Sequence, residues 1–500
     1  MAISTPALFR VFDSTNRIRS FPVSTNPLEI SLDTLLAASP LLGHPLEDRT
    51  PIREAQDRQL IDLWRNASSV RLRGASQQNL FCVAPLDLLV SNEQGQKQFH
   101  LLELNGTGIG GLTNLTEDAL GPILAGMGQI ASAPAIADPL ILVASSGKES
   151  ETNPRLNKLI HEKLMYADAI KRGFQQRGES ATVTVMSQLA ASSECPRRGP
   201  LIVVGYIKEF LDHLETDQDN RLMLLGREVT GAVNDRFFMN VHDHFDGRVN
   251  LARLTIMNRC FLAGADKGIA YDLLNDFLRS QPKSQFPSRT DFNVCCCREE
   301  LTETVFAWLR RGLRPVIKPH GTGLGHGIEF FLSADEPDVS ILKRIDGSIR
   351  LTEEYYRAKG GAFPYTVCEY VNADRIDRPG HRLQGHKYEL RVVVYRDGMT
   401  LQALPSIVKV ACEPCGQDGD GKHGLINNIT ASCVRTQAKG TDYMFPLANR
   451  ETLALFGLTE QDITALCRGA TGYVRYVLDQ VEDQPARLGL PDARRKTVAA

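Results

Sequence analysis

Between residues 138 and 255 the chain alternates short apolar runs with helical stretches, and this alternation restricts the fold more than any other feature. Pro139–Ser145, Ala181–Met186, Leu201–Tyr206 and Arg221–Leu225 read as strands; Asn157–Arg177 and Lys208–Glu215 read as helices. Strands interleaved with helices predict βαβ units and a partly parallel sheet. That sheet accounts for only part of the chain. At 500 residues the protein exceeds what one compact core holds, so two to four domains or lobes are expected.

Outside this segment the patterning changes. Leu28–Ala38 and Arg53–Asn66 have helical spacing, and residues 79–90 and 97–105 read as two strands joined by the polar turn Ser91–Gln96. A stretch of small residues runs from Gly106 to about Ala137. Asp266–Leu278 reads as a helix, 313–410 as strand-rich, 411–424 as a loop, and the chain from Glu451 as helical with a charged tail. The composition is that of a soluble globular protein, with 42% hydrophobic and 23% charged residues. A net charge of −2 gives no general reason to bind nucleic acid or anionic lipid. No apolar run reaches the roughly 18 residues of a membrane span, and the N-terminus is a poor secretion signal. A cytoplasmic location follows as the expectation, with the 11 cysteines as reduced thiols. Cys412 and Cys415 have the spacing of a zinc pair, with Cys433 or His423 as conceivable partners. A second such pair is missing, so a loop with two free thiols is the preferred reading.

Charged side chains set into apolar strands carry the chemistry. In Arg314–Phe331 (RPVIKPHGTGLGHGIEFF) an apolar strand ends in Lys318. A loop with Gly321, Gly323, Gly325 and Gly327 follows, and a second strand leaves it. Glycines let backbone N–H groups approach phosphate oxygens while the lysine supplies a point charge. The plain alternative is a flexible turn. In KYELRVVVYRD (387–397) a period of two puts Glu389 and Arg391 on one face, either as a solvated pair or as a held, phosphate-contacting arginine. The strand YTVCEYV (365–371) ends at Glu369, Tyr370 and Val371, where backbone groups could read the edge of a base. In LLELN the same period puts Leu101, Glu103 and Asn105 on one face, and the preceding strand adds Asp87 from PLDLLV. Buried carboxylates need a compensating charge, and three oxygen donors on adjacent strands suit Mg²⁺ or Mn²⁺. The alternative is that Asp87 lies at a strand edge and Glu103 pairs with a basic residue. Gly108 and Gly110 in the following GTGIGG offer backbone donors to an anionic group. Arg227 and Arg236 in REVTGAVNDRFF are candidates for holding a substrate carboxylate, with ordinary surface arginines as the favoured alternative.

Taken together these segments resemble the ATP-grasp superfamily. ADKGIAYDLL resembles its helix with a phosphate-contacting lysine, here Lys267; VIKPHGTGLGHGI its lysine strand and glycine flap; VCEYV its adenine linker; YELRVVVYRDG its arginine strand; and INNIT, with Asn428, its asparagine loop. The metal-binding pattern of the D…ExN type ordinarily comes last. Here it comes first, at 87–105, in an order similar to that of eukaryotic glutathione synthetase. The resemblance covers about two-fifths of the chain, and the region 130–255 matches none of its motifs.

The resemblance implies an α/β protein: an ATP-grasp fold of two α+β subdomains in permuted order, with a Rossmann-like α/β substrate domain. Its expected limits are 1–130 for an N-terminal segment bearing the metal hairpin, 131–260 for the substrate domain, 261–370 for the lobe with the flap, and 371–500 for the rest of the other lobe. It implies ATP and Mg²⁺ (or Mn²⁺) and small-molecule carboxylate and amine substrates, with neither nucleic acid nor membrane as partner and a homodimer left open. The activity implied is amide formation through an acylphosphate, with Lys318 and Arg391 acting on the transferring phosphoryl group and Asp87, Glu103 and Asn105 on the metals. A phosphotransferase acting without amide formation and a non-catalytic ATP-binding module remain open.

Overall fold

Five short strands lie parallel in one sheet, in the order Thr255–Met257, Gly231–Val233, Leu140–Ser145, Leu201–Tyr206, Thr182–Val185. Three of these strands are ones that the alternation at 138–255 predicts; Gly231–Val233 and Thr255–Met257 join them, whereas the predicted strand Arg221–Leu225 lies in another sheet. The computed structural model describes residues 10–12, 18–20, 52, 54–72, 80–106, 115–132, 137–145, 158–192, 195–233, 237, 241, 244–250, 253–258, 267–281, 291–320, 325–356, 362–415, 422–425 and 442–484. The protein is a mixed α/β structure of several sheets and helices. The predicted helix Leu28–Ala38 lies outside the described residues.

The long helix of the parallel segment runs over Lys158–Gln176, close to its predicted span. Lys208–Glu215 departs from expectation: the helix stops at Leu211, and Leu214–Thr216 pairs with Leu222–Leu224 in a small antiparallel sheet. Within the stretch of small residues, Glu117–Gly128 is also a helix, with Pro122 inside it. Its Gly128 lies against Gly173 of the Lys158–Gln176 helix, so close that a Cβ on Gly173 would meet the Gly128 carbonyl oxygen at 2.4 Å. The small residues there serve helix-to-helix contact.

A second sheet is antiparallel and joins distant parts of the sequence, in the order Met444–Pro446, Thr400–Pro414, His386–Asp397, Val83–Glu93, Gln96–Leu104. Val70–Arg71 adds to the Thr400–Pro414 strand. The Val83–Glu93 and Gln96–Leu104 strands meet at a tight turn, with Gln94 and Gly95 at φ 52° and 84°. Paired positive φ angles match the right-handed strand twist, so the strands run longer than the predicted 91–96 turn allowed. One face of this sheet is apolar: Leu86, Leu88, Val90, Phe99, Leu101, Leu390 and Val392 are buried in a common core. The helix Glu460–Asp483 joins that core with Ile463, Leu466, Cys467, Ala470, Tyr473, Val474 and Val477, a stripe at helical spacing. Thr459 and Asp462 cap its N-terminus reciprocally. The opposite face of the sheet carries charge.

A third sheet, in the order Phe292–Cys295, Tyr365–Glu369, Pro315–Pro319, Glu329–Phe330, is antiparallel and packs its own core with the helices Arg298–Arg310 and Asp338–Tyr356. The latter helix occupies 19 residues of a region that reads as strand-rich. No helix among the described residues is long and apolar enough to cross a membrane.

Candidate functional site

The charged face of the six-stranded sheet gathers side chains from segments hundreds of residues apart. Asp87 stands opposite Arg391 on one neighbouring strand and opposite Glu103 on the other. The second pairing depends on a bulge. The register passes from Leu88↔Leu101 to Asp87↔Glu103, leaving Leu102 as an extra residue. Strict alternation would place Glu103 with Leu101. The bulge reverses the phase, so Leu101 and Leu104 both enter the core while Glu103 turns to the Asp87 face. The expectation that Leu101 and Glu103 share a face is corrected accordingly.

Asp87 is buried, with Oδ1 accepting from Arg391 Nε at 2.7 Å. Its Oδ2 accepts from Arg391 Nη2 at 2.6 Å and from Lys409 Nζ at 3.0 Å. Burial alone would raise its pKa, but Arg391 and Lys409 outweigh burial and hold the carboxyl well below the usual range. Lys409 also reaches Glu389 Oε1, directly across the strand pair. Burial pushes Glu389 up to about 7, with Asp87 adding to the rise and Lys409 opposing it. Asp87 therefore has its countercharge within the protein. The reasoning that a buried carboxylate here requires a metal ion is corrected: Arg391 and Lys409 supply the charge.

Glu103 and Asn105 are placed differently. Glu103 is about a third exposed, its Oε2 3.7 Å from Lys267 Nζ. Asn105 Nδ2 donates to Glu103 Oε1 at 3.2 Å and approaches Asp87 Oδ2 at 3.4 Å. Among the described residues no group of three or more His, Cys, Asp or Glu side chains is gathered as a metal cage. Mg²⁺ is commonly held by only one or two carboxylates, with water and phosphate oxygens completing its shell. Glu103, with Asn105 turned to present its oxygen, fits that partial donor set; Asp87, as it stands, does not contribute.

Lys318 comes to this face from the third sheet. Its side chain is buried, and Nζ donates to Tyr271 Oη at 2.8 Å. The Tyr271 hydroxyl in turn donates to the carbonyl of Leu102, the bulge residue, at 3.2 Å. Burial works against the Lys318 charge, but Cys368 and Tyr271 beside it hold the ammonium above its ordinary range. Burial also pushes the Tyr271 phenol up to about 12, so at neutral pH it is a hydroxyl, able to donate and accept. Lys267 and Tyr271 lie one turn apart at the start of the Lys267–Ser280 helix. Thus Lys267, Lys318, Arg391, Asp87, Glu103 and Asn105 converge, and Tyr271, Lys409 and Glu389 join them.

Beyond Lys318, Gly325 and Gly327 have φ near +73° and +72°, and Glu329–Phe330 returns antiparallel to the lysine strand. Gly321 and Gly323 lie outside the described residues, as do Gly108, Gly110, Asn428 and Arg236. At the linker, Glu369 is exposed and Tyr370 and Val371 are half-buried. The Tyr370 N–H donates to the Arg314 carbonyl, which takes it from the donors open to a base. Arg227 departs from the substrate role considered for it. It is buried in the α/β region, and its guanidinium donates to the carbonyls of Pro196, Asp138, Pro139 and Gly199, fastening the loops at one end of the parallel sheet.

Lys409 could have been found from sequence by the reasoning that flags Asp87, since it too is a charge in an apolar run (SIVKVA). Tyr271 carried no signal beyond its helical spacing from Lys267.

No family model matches the chain, and no curated protein matches it. Among solved structures it is similar to a "Putative gamma-glutamylcysteine synthetase" from Methylobacillus flagellatus KT, with 13% sequence identity and a TM-score of 0.41 over 96% of this chain and 100% of that one. A likeness this distant decides neither the fold nor the chemistry.

Proposed function

We propose that this protein is an ATP-dependent carboxylate–amine ligase of the ATP-grasp type with permuted motif order. The observation that supports this most is the convergence of Lys267, Lys318, Arg391, Glu103 and Asn105 at one sheet face, from segments distant in sequence, as a permuted motif order would require. In this reading 1–130 and 371–500 form one lobe, 261–370 the other, and 131–260 the substrate domain. ATP would transfer its γ-phosphoryl group to a carboxylate, and an amine would displace phosphate from the resulting acylphosphate.

The residues' parts follow from their charge and burial. Lys267 and Lys318 place positive charge where phosphates would lie, and burial strengthens their effect. Arg391, held on Asp87 by a two-point contact, is already oriented and loses little freedom on meeting an anion. Glu103 and Asn105 would hold Mg²⁺, which would neutralise charge on the transferring group. The loop after Lys318 would exclude water from the acylphosphate.

Release of ADP from Mg·ATP is measured against amino acids and small carboxylic acids, singly and in pairs. Release that requires a pair, with an amide product, is the expected result. Release with one acceptor and no amide would favour the phosphotransferase reading. Lys318→Met is expected to lower turnover by about 10²–10³, the typical effect of losing one such contact. Mg·ATP at about 100 times Kd should add roughly 2.7 kcal/mol of stability. The absence of both turnover and stabilisation by Mg·ATP would overturn the proposal.

A further inference from the structure

Asp87 has more cationic partners than one carboxylate needs, and they differ in how firmly they are held. Arg391 grips both oxygens, Nε on Oδ1 at 2.7 Å and Nη2 on Oδ2 at 2.6 Å. A planar fork fixed at two points does not leave without losing both bonds. Lys409 makes a single contact with Asp87, 3.0 Å to Oδ2, at the end of a flexible stem. Its other partner is Glu389 Oε1. Glu389 and Lys409 face each other directly in the strand register, so Lys409 can rest wholly on Glu389 without any backbone shift. The Asp87 oxygen that Lys409 touches is also the one that Asn105 approaches, on the side of Glu103.

Resting on the reading of this face as a Mg·nucleotide site, we propose that Lys409 is a built-in cation that competes with the divalent metal for Asp87. Glu389 is the carboxylate that receives Lys409 when the metal arrives. A divalent ion on Oδ2 and an ammonium on the same oxygen repel each other strongly at such short range. Of the two resident cations, the lysine is the one free to yield. Lys409 thus lets the sheet fold with Asp87 compensated before any metal is bound, and it sets the affinity at which the metal enters. Asp87 becomes a ligand after that exchange, alongside Glu103 and Asn105.

Mn²⁺ binding followed by electron paramagnetic resonance tests this without any turnover. The full-length protein, Lys409→Met, Glu389→Gln and Glu103→Gln are titrated with Mn²⁺ alone. Removing a unit positive charge beside a divalent site should tighten Mn²⁺ binding about tenfold or more in Lys409→Met. Glu389→Gln should weaken binding severalfold, because Lys409 then has no alternative to Asp87. Equal affinity in the wild type and in folded Lys409→Met would overturn the proposal. Should Lys409→Met fail to fold, Glu389→Gln decides in its place, and unchanged affinity there has the same force. Failure of the underlying reading looks different: neither the wild type nor Lys409→Met binds Mn²⁺, or Glu103→Gln leaves binding untouched.

Discussion

Asp87 shows what a single buried charge does in this protein. It compensates Arg391 and Lys409 together, and none of the three has more than a tenth of its surface exposed. Replacing it by asparagine keeps the shape and leaves two cations to share Glu389 and Glu103. Breaking a buried pair by removing one partner typically costs about 3–5 kcal/mol. Asp87→Asn should therefore lose that much in urea unfolding, and a loss below about 1 kcal/mol would show the network to be well hydrated. The sequence marks Asp87 as exceptional because a carboxylate interrupts PLDLLV. It does not reveal the partner. A metal ion, an arginine more than 300 positions away or a lysine all satisfy the same electrostatic demand, and only the sheet order selects among them. Arg227 shows the converse. An arginine near polar residues reads as exposed, yet here its buried fork holds backbone carbonyls whose positions sequence does not encode.

At the scale of elements, legibility followed periodicity. The Lys158–Gln176 helix has a regular apolar stripe and is readable; Glu117–Gly128 is less so, because glycines and Pro122 interrupt its apolar Ile123 and Met127 and its approach to the Lys158–Gln176 helix is made by Gly128. Small residues carry little hydrophobic signal but permit close approach, and Gly128 against Gly173 is where that approach is tightest. Gly173→Ala puts a methyl group where a carbonyl oxygen stands. Overpacking of this kind costs about 1–3 kcal/mol as the helices part. Circular dichroism melts should show a lowered Tm with helix content retained, whereas a neutral outcome would mean that the crossing is looser than described. The bulge at Leu102 was equally hidden, since one inserted residue leaves no mark on composition. Its consequence is large: without it Glu103 would face the core, and the candidate site would lose its most accessible carboxylate.

Across the whole molecule, Lys387 links two sheets. It belongs to the His386–Asp397 strand of the six-stranded sheet, and its Nζ donates to the hydroxyl of Tyr370, which follows the Tyr365–Glu369 strand of the third sheet. Arg314 stacks over the Tyr370 ring at 5.0 Å, and Arg375 pairs with Lys387 in an isolated bridge. Lys387 is therefore buried among cations. Burial is the largest cause that lowers its pKa, from 10.5 to about 8; Cys415 opposes the change, and Arg375 and Arg314 reinforce it. The sign follows by linkage. Between pH 8 and 10.5 the unfolded chain holds this proton and the folded chain has released it, so stability gains with rising pH. Below about 8 both states are charged, and the full cost of keeping a buried cation applies. Lys387→Met removes the titration and retains most of the apolar stem. Urea unfolding of both proteins from pH 7.5 to 10.5 isolates the effect, because all other titrating groups are common to the two. The wild type should gain stability relative to Lys387→Met as pH rises through this window, with the difference levelling off at either end. A difference that stays flat would mean that Lys387 keeps its ordinary pKa and is hydrated. The contact between the two sheets at Tyr370 would then be open to water, and one of the links that sets the third sheet, with Lys318, against the Asp87 face would be weaker than its geometry implies.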